Sequence, residues 1–307
     1  MMKRVLLLVL VLSLFAANAW AYPQAKMTVM VQDENGSPVV GAKAKAYYFE
    51  ASSKHDVFTT DTNGQFVVQH QCMGSMGGSI EKEGYYRQGF GYGWKFNNVK
   101  GFMFKRFQPW NPTVTVVMKK KRNPVPMIMK YTDWMNVPAY EKPVAYDFEI
   151  GDWVAPYGQG AVSDFVFNFT GFDKGRGNAK LQCNLSFSNE KDGIQVYEHN
   201  PEDKSEYKWP FEAPESGYES SLMRFSSYLP GQGPEKNADN ERKLIVRVRT
   251  KVDKNGKIIS ANYGKIYRDI QASWNGKIRF RYWFNQHGTR NLEDDPKKNI
   301  ELKRDWR

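Results

Sequence analysis

The sequence predicts an all-β protein, two antiparallel β-sandwich domains in tandem, and three observations carry that prediction. Aromatic residues make up 15% of the chain, with 19 Phe, 17 Tyr and 9 Trp, and rings favour pleated, half-buried surfaces over helices. Apolar and polar residues alternate with period two in one segment after another. Asn-Gly pairs, the strongest short hairpin signal, punctuate those segments. A length of 307 residues with only two cysteines excludes a disulfide-built mini-protein and a zinc-ribbon array. Hydrophobic content of 41% and charged content of 25% are globular values that exclude disorder and collagen.

Taken in order, residues 1–4 are basic, residues 5–15 form an apolar run broken by Ser13, and Ala19-Trp20-Ala21 is a small-x-small cleavage site. Residues 1–21 therefore read as a secretory signal peptide. The run is short of the roughly 20 apolar residues a membrane helix needs. The expected mature chain starts near Tyr22, secreted to the periplasm or the extracellular space, with no transmembrane segment after cleavage. A strand at 27–31 follows, then the turn Asp33-Glu34-Asn35-Gly36, then a strand at 39–49 with Val40, Ala42, Ala44, Ala46 and Tyr48 on one face and Lys43 and Lys45 on the other. A second unit repeats strand, Asn63-Gly64 turn and strand over 59–68, and 113–118 closes the set before the charged run 119–122.

The string Val31-x-Asp33-x-x-Gly36-x-Pro38-Val39-x-Gly41-Ala42-x-Ala44, with Thr60-Asp61-Thr62-Asn63-Gly64-Gln65-Phe66 and Ile80-x-Lys82-x-Gly84-Tyr85, resembles the carboxypeptidase regulatory-like domain over about residues 25–122. That resemblance implies a Greek-key, prealbumin-like sandwich, similar also to the starch-binding-domain-like group. It implies an accessory module without catalytic residues. The stretch from Gly84 to Trp110 is longer and more aromatic than the plain domain needs.

Domain one is thus expected at 22–122. Asn123-Pro124-Val125-Pro126 looks like an exit from it, because proline cannot donate to a ladder and holds its predecessor extended. Residues 123–143 are expected to be an ordered connector, since Trp134, Met135 and Tyr140 are too apolar for a free linker. Domain two then spans 144–307. Phe165, Phe167 and Phe169, and Leu181, Cys183, Leu185 and Phe187, alternate with polar residues as in half-buried antiparallel strands. A long hairpin over 244–270 turns at Asn255-Gly256, and a strand at 278–284 follows Asn275-Gly276. A second sandwich, jelly-roll-like, is the natural inference. This half resembles domains of unknown function in exported bacterial proteins.

Catalytic signatures are sparse. The four histidines, His55, His70, His199 and His287, lack metal-ligand spacing, and there is no Gly-x-Ser-x-Gly elbow. No cofactor and no metal are expected. Asp147, Glu149, Asp152 and Asp164 stand near strand ends and would suit a glycosidase only if two of them faced each other across a cleft. Asp33-Glu34-Asn35-Gly36 and Asp61-Thr62-Asn63-Gly64 are fragments of a calcium loop without its remaining ligands, and read as turns. Cys72 and Cys183 fall on apolar strand faces in separate domains; two buried thiols and one interdomain disulfide both remain open.

Two groups of residues are candidate ligand sites. Tyr92, Trp94 and Trp110 stand in the glycine-rich aromatic segment, where exposed rings would stack on sugars and buried rings would fill core. Arg247 and Arg249 share one strand face and Arg279 and Arg281 another; the four would make a cationic stripe if those strands were neighbours, and a solvated sheet face otherwise. With 44 basic against 33 acidic residues, the chain is biased towards anionic partners, and no nucleic-acid-binding motif accompanies that bias. The expectation is a secreted, non-catalytic binding or envelope-associated module engaging polysaccharide or another anionic envelope polymer. A structural or protein-interaction component of an exported assembly comes second, and an unrecognised polysaccharide-active enzyme third.

Overall fold

A computed structural model of the protein describes residues 22–49, 55–101, 105–175 and 177–303. The expected signal peptide at 1–21 lies outside the described residues. Strands dominate, and the described chain divides into two compact units. One holds the residues up to Lys121 together with Pro201–Lys208; the other holds Arg122–Asn200 and the chain from Trp209 on. Among the described residues, no helix is long and apolar enough to cross a membrane.

The first unit runs β1 (Gln24–Asp33), β2 (Lys43–Tyr48), β3 (His55–Thr59), β4 (Gln65–Gln71), β5 (Ser75–Glu81), β6 (Gln88–Gly93), β7 (Val99–Lys100), β8 (Arg106–Phe107) and β9 (Thr113–Met118). β3-β2-β5-β6 form one sheet, and β1 organises the other, antiparallel to β4 and parallel to β9. The parallel pair departs from an all-antiparallel ladder because the chain between β1 and β9 visits the opposite sheet and re-enters at the same end. Alternation decides the faces: Ala25, Met27, Val29 and Val31 of β1 and Ala44 and Ala46 of β2 are fully buried in one core with Phe66, Phe90 and Phe107.

Its Asn-Gly turns work differently from the hairpin expectation, in which both central residues take positive φ. Only the glycines do, at 81° for Gly36 and 72° for Gly64. The preceding aspartate pins each loop instead. Asp33 accepts from the backbone N–H groups of Asn35 and Ser37, and Asp61 from those of Asn63 and Gln65, at 2.7–3.0 Å. These carboxylates serve their own turns.

Pro201–Lys208, expected in the second domain, belongs to the first unit. It runs beside the edge strand β6, with Gly89 N–H donating to Lys204 O and Glu206 N–H to Arg87 O, both at 3.0 Å. Tyr207 stacks on Tyr86 at 4.6 Å, and Lys119 Nζ meets Asp203 at 2.7 Å. The segment covers an otherwise open strand edge.

The second unit contains β10 (Ile128–Tyr131), β11 (Met135–Asn136), β12 (Pro143–Asp147), β13 (Asp152–Trp153), β14 (Phe165–Asp173), β15 (Ala179–Ser186), β16 (Gly193–Tyr197), β17 (Ser221–Tyr228), β18 (Pro234–Lys236), β19 (Lys243–Val252), β20 (Ile258–Ser273), β21 (Lys277–Asn285) and β22 (Ile300–Glu301). The expected connector 123–143 is therefore not a connector: β10 and β11 both pair with β21, because Ile128 and Met135 are core residues. The seven-stranded sheet runs β16-β19-β20-β21-β10-β22 with β11 beside β21, and the six-stranded sheet runs β13-β12-β14-β15-β17-β18. Phe165, Phe167 and Phe169 of one sheet and Phe280, Tyr282 and Phe284 of the other fill the core between them. Ring contacts such as Phe148–Phe165 at 4.6 Å and 71° are edge-to-face, the arrangement the aromatic quadrupole favours.

Candidate functional site

The outer face of the seven-stranded sheet carries the site. On β21 alternation sends Ile278, Phe280, Tyr282 and Phe284 inward and leaves Arg279, Arg281 and Trp283 on the other face. On β20, Tyr267 pairs with Arg281 and Gln271 with Arg279. The extra residues between those pairs, Arg268 and Asp269, bulge out with φ of 69° and 57°. On the other side Tyr131 of β10 pairs with Arg281.

A second bulge decides what lies beside Arg279. β10 pairs Tyr131 with Arg281, whereas β11 pairs Met135 with Ile278, one residue out of step, and Asp133 takes a φ of 51° between them. A one-residue slip exchanges the faces of everything beyond it. Trp134 thereby joins Met129 and Tyr131 on the outer face, and its ring receives the Arg279 guanidinium at 4.3 Å.

The result is a cavity of about 440 Å³ lined by Arg268, Arg279, Arg281, Tyr131, Tyr267 and Gln271, with Asp269 and Glu301 also present. Asp269 is spoken for: Arg224 Nε reaches it at 2.8 Å and Arg242 at 3.3 Å. Arg279 Nε donates to Gln271 Oε1 at 2.8 Å, which orients its fork. Arg281 lies over the Trp283 ring at 4.6 Å, and its Nε is buried without a hydrogen-bond partner. Buried donors are almost always paired, and this one is an uncompensated donor in the cavity wall, while the rest of the Arg281 fork lines the cavity. Held guanidinium forks beside aromatic rings match planar oxyanions.

Arg247 and Arg249 do not join Arg279 and Arg281, and the expected four-residue stripe does not form. β20 lies between β19 and β21. Arg247 is 9% exposed, donates to the backbone carbonyls of Lys191 and Glu215, and sits 4.3 Å over the Tyr218 ring. Arg249 occupies a bulge with φ of 55°, which breaks the strand alternation that placed it beside Arg247. Its fork binds Asp164, Asp147 and Glu149 at 2.8, 3.0 and 2.5 Å. Three of the four carboxylates considered for glycoside chemistry are thus tied to one guanidinium. Burial pushes the Asp164 carboxyl up against the pull of Arg249; Asp147 is pushed up by burial too, but backbone N–H groups outweigh it and hold that carboxyl below the usual range. Asp152 is occupied by the N–H groups of Trp153 and Gln159.

The aromatic candidates of the first unit are not a platform of free rings. Trp94 is 6% exposed, donates Nε1–H to Pro109 O at 2.9 Å and packs in the core. Tyr92 lies against it at 4.8 Å, and Trp110 is half-buried under the Arg106 guanidinium at 4.9 Å. Phe102 and Phe104 lie outside the described residues. Cys72 and Cys183 are both buried, and no disulfide joins them. Among the described residues no cluster of metal-ligating side chains occurs.

Sequence reasoning missed Tyr131, Trp134, Tyr267 and Gln271. For Tyr131 and Trp134 the signal available was the apolar, aromatic character of 123–143, which marks a strand segment rather than a linker; Tyr267 and Gln271 come to the site through the pairing of β20 with β21.

No family model matches the chain, and no curated protein matches it. Among solved structures it is similar to a 3-chlorocatechol 1,2-dioxygenase of Rhodococcus opacus, at 11% identity over 33% of this chain and a TM-score of 0.26. The chain spans 61% of that dioxygenase's length. It is also similar to a shaft pilin of Lactobacillus rhamnosus, at 11% identity over 81% of this chain and 95% of the pilin with a TM-score of 0.25. A Bacteroides uniformis protein described as carbohydrate binding gives 9% identity over 85% and 96% of the two chains and a TM-score of 0.20. Likenesses this loose say nothing about chemistry.

Proposed function

We propose that this is an exported, non-catalytic binding module whose second unit holds an acidic polysaccharide on the outer face of its seven-stranded sheet. The observation that carries the reading is the convergence of Arg268, Arg279 and Arg281 on one cavity, with the Arg279 and Arg281 guanidiniums held over tryptophan rings. A carboxylate or sulfate placed there accepts from the outer N–H groups of the Arg281 and Arg279 forks, beside Tyr131 and beside Tyr267, whose ring carries the Arg268 guanidinium at 5.5 Å. The excess of basic residues supports the same class of ligand, and the N-terminal leader motif supports export. The first unit reads as an accessory sandwich of the carboxypeptidase regulatory-like type, supported by its turn motifs.

The test is binding of a polyuronate to the purified protein at two salt concentrations, beside a neutral glucan, with wild type and Arg281→Gln. Charge-assisted hydrogen bonds contribute about 1.5–3 kcal/mol each, so the folded variant is expected to lose about tenfold or more in polyuronate affinity. Wild-type binding should weaken with salt, because the Debye length contracts from about 30 Å at 0.01 M to about 8 Å at physiological strength. Unchanged affinity in the variant, or wild-type preference for the neutral glucan, overturns the proposal.

A further inference from the structure

The outer-face site does not end at Arg279. The Trp134 ring that carries this guanidinium also forms a wall of a second cleft, of about 250 Å³, with Asn136, Asp152, Trp153 and Tyr157. Arg279 lines the first cavity and Trp134 the second, so the stacked pair is the partition between them.

The second cleft is built rather than incidental. Trp134 is set by the bulge at Asp133, whose Oδ1 accepts the Trp134 N–H at 2.9 Å. The opposite wall is the tight loop after β13, where Tyr157 N–H donates to Val154 O at 3.1 Å and Gln159 N–H to Asp152 Oδ2 at 3.0 Å. That loop needs glycine at 158: a Cβ there would lie 2.4 Å from Trp153 O and 2.7 Å from Asp152 Cγ. The backbone of Tyr157 is therefore held in place, with the residue 38% exposed.

The two sites have opposite electrostatic character. The first is lined by three arginines. The second is lined by rings, the Asn136 amide and the Asp152 carboxylate, with no cation among its lining residues. A carboxylate-bearing sugar is attracted to the first and repelled from the second. An uncharged pyranose fits the second, its C–H face on a ring and its hydroxyls donating to the Asn136 amide oxygen and to the Asp152 lone pairs that the Trp153 and Gln159 N–H groups leave open. The cleft is below the roughly 300–1,000 Å³ of drug-sized pockets, a volume suited to one ring.

We propose that the two clefts read consecutive residues of one polysaccharide, the arginine cavity an acidic unit and the Trp134–Tyr157 cleft its uncharged neighbour. This rests on the acidic-polysaccharide reading of the first cavity and specifies the ligand as a chain that alternates acidic and neutral units.

Three probes separate the possibilities: an alternating uronate–N-acetylhexosamine hexasaccharide, an oligogalacturonate of the same length, and cellohexaose, each titrated by calorimetry into the full chain. Wild type is expected to prefer the alternating hexasaccharide over oligogalacturonate by about tenfold, about 1.4 kcal/mol, and to bind cellohexaose weakest. Tyr157→Ala should abolish that preference and leave oligogalacturonate affinity within about twofold, since Tyr157 does not line the first cavity. Trp134→Phe, which keeps a ring beneath Arg279, should retain part of the preference, and a melting curve for each variant confirms the fold. Equal wild-type affinity for the two acidic probes, or a preference that survives Tyr157→Ala, overturns the two-site inference and leaves the first cavity's reading standing. Absence of binding to both acidic probes overturns both.

Discussion

Replacing Arg249 with Met should destabilise the second unit far more than a surface substitution does, and by an amount that depends on pH. The guanidinium is 20% exposed, while its partners Asp164 and Asp147 are 0% and 2% exposed. Asp147 also accepts from the backbone N–H groups of Glu149, Ile150, Ala161 and Val162 and keeps them in the variant. Asp164 loses two guanidinium bonds, at 2.8 and 2.9 Å, and retains the Phe148 N–H. The cost concentrates on one buried carboxylate. Orphaning such a charge costs about 3–5 kcal/mol, which at about 2–4 °C per kcal/mol is a fall of roughly 10 °C in melting temperature. Burial already raises the Asp164 pKa in the fold, with Arg249 opposing it. A raised folded pKa gives a contribution to stability that is present in acid and lost as pH rises through that pKa. Removing Arg249 raises it further, so the deficit of the variant is largest near neutral pH and shrinks in mild acid. Asp147, whose folded pKa is depressed, loses its contribution as pH falls, but its backbone partners are common to both proteins and that loss largely cancels in the difference. Urea unfolding of both proteins at about pH 7 and about pH 5 measures the effect. A loss below about 1 kcal/mol, or an equal loss at the two pH values, would refute the reasoning.

Neither Cys72 nor Cys183 should react with a water-soluble maleimide until the protein unfolds, because both are buried and burial pushes the Cys183 thiol far up; native labelling or a reducible cross-link would contradict this. Tyr207→Ala should cost the first unit about 3 kcal/mol and expose residues 201–208 to proteolysis, since Tyr207 is 4% exposed and stacked on Tyr86; an unchanged cleavage pattern would mean the segment adds nothing to that unit. Tyr282→Phe removes the buried hydrogen bond to Phe148 O, 2.7 Å long, and is expected to cost about 1–3 kcal/mol in denaturant melts.

The sequence by itself determined the fold class and the faces of individual strands. Phe165, Phe167 and Phe169, Leu181, Cys183 and Leu185, and Ile278, Phe280, Tyr282 and Phe284 are all buried, as their alternation requires. Such faces are legible because period two is a property of neighbours along the chain, enforced by the pleat. Tertiary structure alone decided which strands stand side by side and where alternation breaks. β20 separates Arg247 and Arg249 from Arg279 and Arg281, the bulge at Arg249 hands its guanidinium to three carboxylates, and the slip at Asp133 turns Trp134 onto the face of Tyr131. The capture of residues 201–208 by the first unit is of the same kind. Strand order and bulges answer to packing between residues as far apart as Arg249 and Asp147, or Trp134 and Arg279, and no local pattern encodes a contact that only the closed core brings about.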